Sequence, residues 1–248
     1  MFGRVAYLAG AAVLALILSG CGYFGLFRFE QRAAWRDPAE AACMATGRFA
    51  NNPFVQPVAR IYGSGACGIA QPLKVSALAD GRVRVSGVAT LGCPQAAALE
   101  DWLTESVLPA SLDWFGSPLV AITQWNDYSC RTVDNIPGAN LSEHAFGNAL
   151  DVAAFKLADG REIAVKSAWY RGTRDEQGFL REVEATACTY FNTVLAPGSD
   201  SYHTDHFHLD LSHRAGGATS KYCRPTPMVI PPRRTPIDGV AVGSISRH

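Results

Sequence analysis

A chain of 248 residues, 48% hydrophobic and 18% charged, can bury one sizeable core, and it reads as a single globular domain with appended ends. Lys and Arg balance Asp and Glu at 22 each, which excludes a global basic field for nucleic acid and an acidic, solvating tail. The expected state is a monomer with no nucleic-acid partner.

The chain starts "MFGRVAYLAGAAVLALILSGC", with Arg4 ahead of an uncharged apolar run from Val5 to Leu18 and small residues before Cys21. This is the layout of a secretory signal, assigned to residues 1–20. The segment Leu18-Ser19-Gly20-Cys21 resembles the bacterial lipobox, in which the cysteine is lipidated and anchors the mature protein. The apolar residues from Gly22 to Phe27 leave a second reading open, a single uncleaved transmembrane anchor. Either reading places the domain outside the cytoplasm, in the bacterial cell envelope and facing the periplasm.

Residues 21–60 lack sustained periodicity and read as a linker, with Cys43 tethering it to a domain that spans 61–223. "LKVSAL", Ala-Asp-Gly and "RVRVSGV" form a β-hairpin signal, with Val83 and Val85 alternating against Arg82, Arg84 and Ser86. Pro94 suits a first helical turn, and Ala98, Trp102, Leu103 and Val107 recur at helical spacing, which predicts a helix over 94–108. "PLVAITQW" reads as a buried strand and "LDVAAFKLADGREIAV" as two strands around an Asp-Gly turn. "DEQGFLREVEATACTYFNTVL" reads as a second helix, whose stripe is Phe179, Val183, Ala187 and Phe191. Antiparallel pairs with packed helices indicate α+β. Residues 224–248 are proline-rich and aperiodic, and are expected to be disordered or extended.

Besides Cys21 there are six cysteines, at 43, 67, 93, 130, 188 and 223. An even number in an exported chain predicts three disulfides, Cys43, Cys67, Cys93, Cys130, Cys188 and Cys223 all taking part. Their wide spacing has no Cys-x-x-Cys pair of the kind zinc ribbons use, and the pairing stays open.

The chain has only six histidines, yet "SEHAFGNALDV" holds one beside an aspartate and "YHTDHFHLDL" holds three more. Strand alternation in "HFHLDL" puts Phe207, Leu209 and Leu211 on one face and His206, His208 and Asp210 on the other. In a regular strand His144 and Asp151 would point to opposite faces, whereas a turn or bulge at Gly147 brings them to one side. A helix would align them too, but "VAAFKLADG" favours a strand starting near Asp151, entered through a bulge or loop. Imidazole and carboxylate from two segments suit zinc, which takes three protein ligands and leaves a fourth position to water. Zinc lowers that water's pKa to about 7 and polarises a carbonyl, the chemistry of hydrolysis.

"SEHAFGNALDV" resembles the Ser-x-His-x-x-Gly-x-Ala-x-Asp signature of the LAS group of zinc peptidases, which covers D-alanyl-D-alanine carboxypeptidases, murein endopeptidases and hedgehog N-terminal domains. "HTDHFHLDL" is similar to the endopeptidases' His-x-x-His-x-His segment. With "YSCR", "SEHAFGNALDV", "FLR" and "DHFHLDL" in that order, the chain also resembles the bacterial extensin-like C-terminal domain family.

The resemblance implies His144, Asp151 and His208 as Zn2+ ligands, with Ser142 and Gly147 shaping the turn and Ser142 bordering the substrate. It gives His206 the catalytic role of assisting the water or the developing oxyanion, and His203 a supporting one. The carboxypeptidases place a glutamate where this chain has Asp205, so the base stays open between His206 and Asp205. Asp205, at an odd offset from His208, is expected to point away from it in a regular strand. Arg131 resembles an arginine that grips a substrate carboxylate. Glu143 and Glu184 read as surface or helix-face charges.

The expected protein is thus an exported, lipid-anchored zinc metallopeptidase that hydrolyses peptidoglycan peptides. Its expected fold is a disulfide-stabilised α+β LAS fold with a small antiparallel sheet and packed helices. The alternative is a non-catalytic, zinc-containing cell-wall-binding module, since hedgehog-like proteins show that such a site need not imply turnover.

Overall fold

The structure is a computed structural model and describes residues 31–228. The expected signal peptide, Cys21 and most of the proline-rich tail lie outside these residues. Residues 32–228 belong to one compact unit. No helix among the described residues is long and apolar enough to cross a membrane.

The stretch read as a linker is in part folded, a departure from the expectation. It carries α1 (Arg36–Ala45) and β1 (Val55–Pro57). Alanine-rich sequence after Pro38 favours the helix, with Asp37 suited to its positive N-terminal end. A disulfide from Cys43 to Cys93 ties α1 to the main domain.

The short strands β2 (Ile61–Tyr62) and β3 (Gly68–Ile69) pair with each other. The hairpin follows as β4 (Pro72–Leu78) and β5 (Val83–Gly92), turning at Ala79 and Asp80 with positive φ. Helix α2 (Cys93–Trp102) then continues through a π turn at Leu103–Val107 into α3 (Leu108–Phe115). The predicted helix therefore runs seven residues past 108. Pro109 explains the π turn: its ring would crowd the carbonyl four residues back, and the wider turn relieves this while Trp114 extends the apolar face. Gly116, at φ +62°, caps the helix in the left-handed conformation.

Next come β6 (Leu119–Asn126), β7 (Ala149–Leu157), β8 (Glu162–Ala164) and the short helix α4 (Val165–Arg171). Helix α5 (Arg174–Tyr190) starts at a capping box in which Thr173 and Glu176 satisfy each other's backbone N–H groups. The predicted second helix stops at Tyr190, and Thr193–Leu195 instead form β9. β10 (Phe207–Asp210) and β11 (Tyr222–Arg224) complete the fold.

The class is α+β, but the sheet is neither small nor wholly antiparallel. Nine strands run β1-β4-β5-β6-β7-β10-β9-β11 with β8 beside β7, and the pairs β5–β6 and β9–β11 are parallel. The α2–α3 helix supplies the long crossover that a parallel β5–β6 pair needs. Trp102, Phe155, Phe179, Phe191 and Phe207 are fully buried between the helices and the sheet. All six cysteines outside position 21 pair, as Cys43–Cys93, Cys67–Cys130 and Cys188–Cys223.

Candidate metal centre

The site is built by a turn feeding a strand and by the strand paired with it. Ser142 is buried, and its Oγ accepts the His144 N–H at 3.4 Å, opening a single 3-10 turn over Glu143–Phe146. Gly147 ends the turn at φ +61°, where a Cβ would meet Ile69 Cδ1 at 2.3 Å and Gly92 N at 3.0 Å. Only glycine fits there. The looped entry expected at Gly147 is thus present, and it delivers Asp151 on β7 beside His144. On β10, Phe207 and Leu209 enter the core while His208 and Asp210 take the opposite face, as alternation required.

His144, Asp151 and His208 are buried and offer ligand atoms within 4.8 Å of one another. His144 Nε2 lies 3.2 Å from Asp151 Oδ1 and 3.2 Å from His208 Nδ1, and His208 Nδ1 lies 3.0 Å from Asp151 Oδ1. The outer nitrogens fix the tautomers. His144 Nδ1 donates to the Asp127 carbonyl at 2.7 Å, and His208 Nε2 donates to Asp210 Oδ2 at 2.8 Å. With both outer nitrogens carrying hydrogen, the inner ones present lone pairs toward a carboxylate.

Three acceptors this close require a positive charge among them, either a proton or a cation. Burial disfavours charge on His208, but hydrogen bonds and charges from Asp151 and Asp210 outweigh it and push that imidazole up to about 10. Burial would likewise raise Asp151, yet His144 and His208 hold it well below the usual carboxylate range. Asp210 is also depressed, its burial outweighed by His208. The donor set fits zinc: two imidazoles and a carboxylate, each histidine oriented through its other nitrogen.

Around this trio the remaining predicted residues take distinct places. His206 Nε2 lies 3.7 Å from Asp151 Oδ1, and its Nδ1 lies 3.0 Å from Asp205 Oδ1. Asp205 thus holds the His206 nitrogen that does not face Asp151, and because β10 begins only at Phe207, strand alternation does not fix its direction. His203 pairs through Nδ1 with Asp200 at 2.8 Å, and its ring lies 5.5 Å from that of His208. Burial lowers the His203 imidazole despite that partner.

A cavity of about 410 Å³ opens beside His208, with Arg131, Ser142, Asp200, His203 and Arg214 on its walls. Arg131 Nη1 donates to the Thr132 carbonyl at 3.2 Å. On the other flank Trp125 is 54% exposed and its ring lies 6.0 Å from that of His206. Trp125 falls in an irregularity of β6 between Gln124, paired with Val152, and Asn126, paired with Asp151. Bulges of this kind re-aim a side chain.

Sequence reading left Asp210 without a role, although its offset of two from His208 placed it on the same face. The Asp127 carbonyl and Asp200 carried no such signal. Glu143 and Glu184 are not surface charges. Glu143 makes a two-pronged pair with buried Arg36, and Glu184 is fully buried with neither oxygen hydrogen-bonded.

No curated protein matches this sequence, and no solved structure does. The family described as Extensin-like protein C-terminus matches residues 41–224, a span that starts within α1, ends with β11 and contains every residue of the buried trio. The chain belongs to the extensin-like protein C-terminus family.

Proposed function

We propose that the domain is a zinc-dependent peptidase acting on peptidoglycan peptides in the bacterial cell envelope, with His144 Nε2, Asp151 and His208 Nδ1 as ligands. The observation that carries this reading is the convergence of three acceptor atoms whose histidines are both hydrogen-bonded outward. The order of motifs supports an LAS-type site on this α+β scaffold. Six cysteines joined in three pairs support folding in an oxidising compartment, in keeping with export and an N-terminal lipid anchor.

When bound, zinc supplies Lewis-acid polarisation of a carbonyl and activation of water. The chain's own groups do the rest. Asp205 accepts from His206 Nδ1 and leaves Nε2 facing the site, where it takes up a proton as general base and returns it to the leaving amine. His203, held by Asp200 through Nδ1, stands beside His206 as a proton carrier. Arg131 on the cavity wall offers a guanidinium fork to a substrate carboxylate.

Digestion of purified muropeptides with and without a chelator tests the proposal. New amine ends that disappear with the chelator and return with zinc support it. Retention of muropeptides without cleavage would replace it with a wall-binding module.

A further inference from the structure

We infer that Arg36, the first residue of α1, is a positioning residue for the metal centre, acting through Glu143 and Phe146 on either side of His144. The inference rests on the proposed zinc reading for its consequence, not for its geometry. Arg36 donates through Nη1 to Glu143 Oε2 and through Nη2 to Glu143 Oε1, both at 2.8 Å. The same guanidinium lies 3.8 Å from the Phe146 ring centroid and 4.5 Å from that of Trp35. Glu143 Oε2 also accepts from Asn148 Nδ2 at 2.6 Å, and the Asn148 carbonyl accepts the Leu211 N–H just after β10. One buried cation thus spans the 3-10 turn that carries His144 and reaches, through Asn148, the end of the strand that carries His208.

A buried guanidinium is costly unless it is paired and hydrogen-bonded, so an ordinary docking role does not explain it. Docking is already secured, because the Cys43–Cys93 disulfide attaches α1 covalently at its other end. What Arg36 adds is geometry. A planar fork on a carboxylate and a cation over a ring fix orientation as well as distance. The turn needs such restraint, because it is one 3-10 turn bounded by Gly147 and must hold an imidazole to a fraction of an ångström. Trp35 extends the contact, stacking on His213 at 3.6 Å, and His213 lines the cavity beside His208.

The test uses the exported domain with its disulfides intact, as wild type, Arg36→Ala, Arg36→Lys, Glu143→Gln and the Arg36→Ala/Glu143→Gln double variant. Arg48→Ala, which removes an exposed pair with Asp101, is the control. Zinc affinity is read by chelator competition, and local opening of the metal-free chain by amide hydrogen exchange at Ala145 and Gly147, which close the turn. Expected is a loss of about 10- to 100-fold in zinc affinity for Arg36→Ala, the usual effect of removing groups that orient ligands. Arg36→Lys should recover part of it, and the double variant should be no worse than the worse single one. Exchange should accelerate at Ala145 and Gly147 but not in β4 and β5. Unchanged affinity and exchange, or acceleration across the whole sheet, would overturn the inference. If wild type takes up no zinc, the metal reading falls, and exchange at the turn still decides the role of Arg36. Should Arg36→Ala fail to fold, Glu143→Gln carries the same two readouts.

Discussion

His208 and Asp151 are direct cross-strand partners on β10 and β7, with Nδ1 3.0 Å from Oδ1. Their contact follows from strand register, so the proposed ligand pair is set by the same hydrogen-bond ladder that builds the sheet. A slip of one residue would send both to opposite faces.

Metal analysis should accordingly find about one zinc per chain, by the three-ligand requirement. His144→Ala or His208→Ala should remove most of it, and full occupancy in either variant would refute that ligand. Mass spectrometry of the native protein should show the six paired cysteines oxidised and an acyl mass on Cys21.

His206→Ala should retain zinc and lose muropeptide hydrolysis by about 10²- to 10⁴-fold, the usual cost of a positioned acid or base. Asp205→Asn should lose less, because Asp205 orients His206 and does not itself face Asp151. The reverse order would make Asp205 the base.

Metal uptake should release a proton. In the metal-free chain His208 holds one up to about pH 10, so a cation must displace it, and apparent affinity should rise with pH between 7 and 10. For the metal-free fold the sign is opposite. His208's raised value contributes stability that is complete below 6.5 and is lost as pH rises through about 10. Calorimetry in buffers of different ionisation enthalpy reads the proton count, and zero release at pH 8 would contradict a protonated His208 in the metal-free chain.

Glu184 should behave as a buried acid. Burial raises it from 4.5 to about 7, so the folded chain holds a proton the unfolded chain releases, and stability should fall as pH rises between those values. Glu184→Gln should flatten that slope and stabilise the domain by about 3 kcal/mol at pH 8, following from 1.36 kcal/mol per unit. Urea unfolding at pH 5 and 8 measures it, and parallel slopes for both proteins would exclude the effect.

Alternation and glycine placement made the centre of the site legible. "HFHLDL" showed its two faces, and Gly147 marked the turn that reconciles an odd spacing. What stayed hidden was held by long-range or polar contacts. Helix α1 buries Arg36 and Glu40, and the partners that make this tolerable, Glu143 and the Gln71 N–H, lie far away in sequence. The Asp127 carbonyl orients His144 through backbone, which no side-chain pattern encodes. Asp205 lies two residues before β10 begins, where alternation has no hold on direction. The parallel β5–β6 pairing depends on a crossover whose length was masked by the π turn at Pro109.

β10 lies inside the sheet, bonded to β7 on one side and β9 on the other. His208 therefore cannot leave the trio by the fraying of an edge. A cation held there would face the cavity lined by His203 and Arg131, and its dwell time would follow that opening more than breathing of the strands. A cation at such a centre would be retained through fluctuations that would empty a site mounted on a loop.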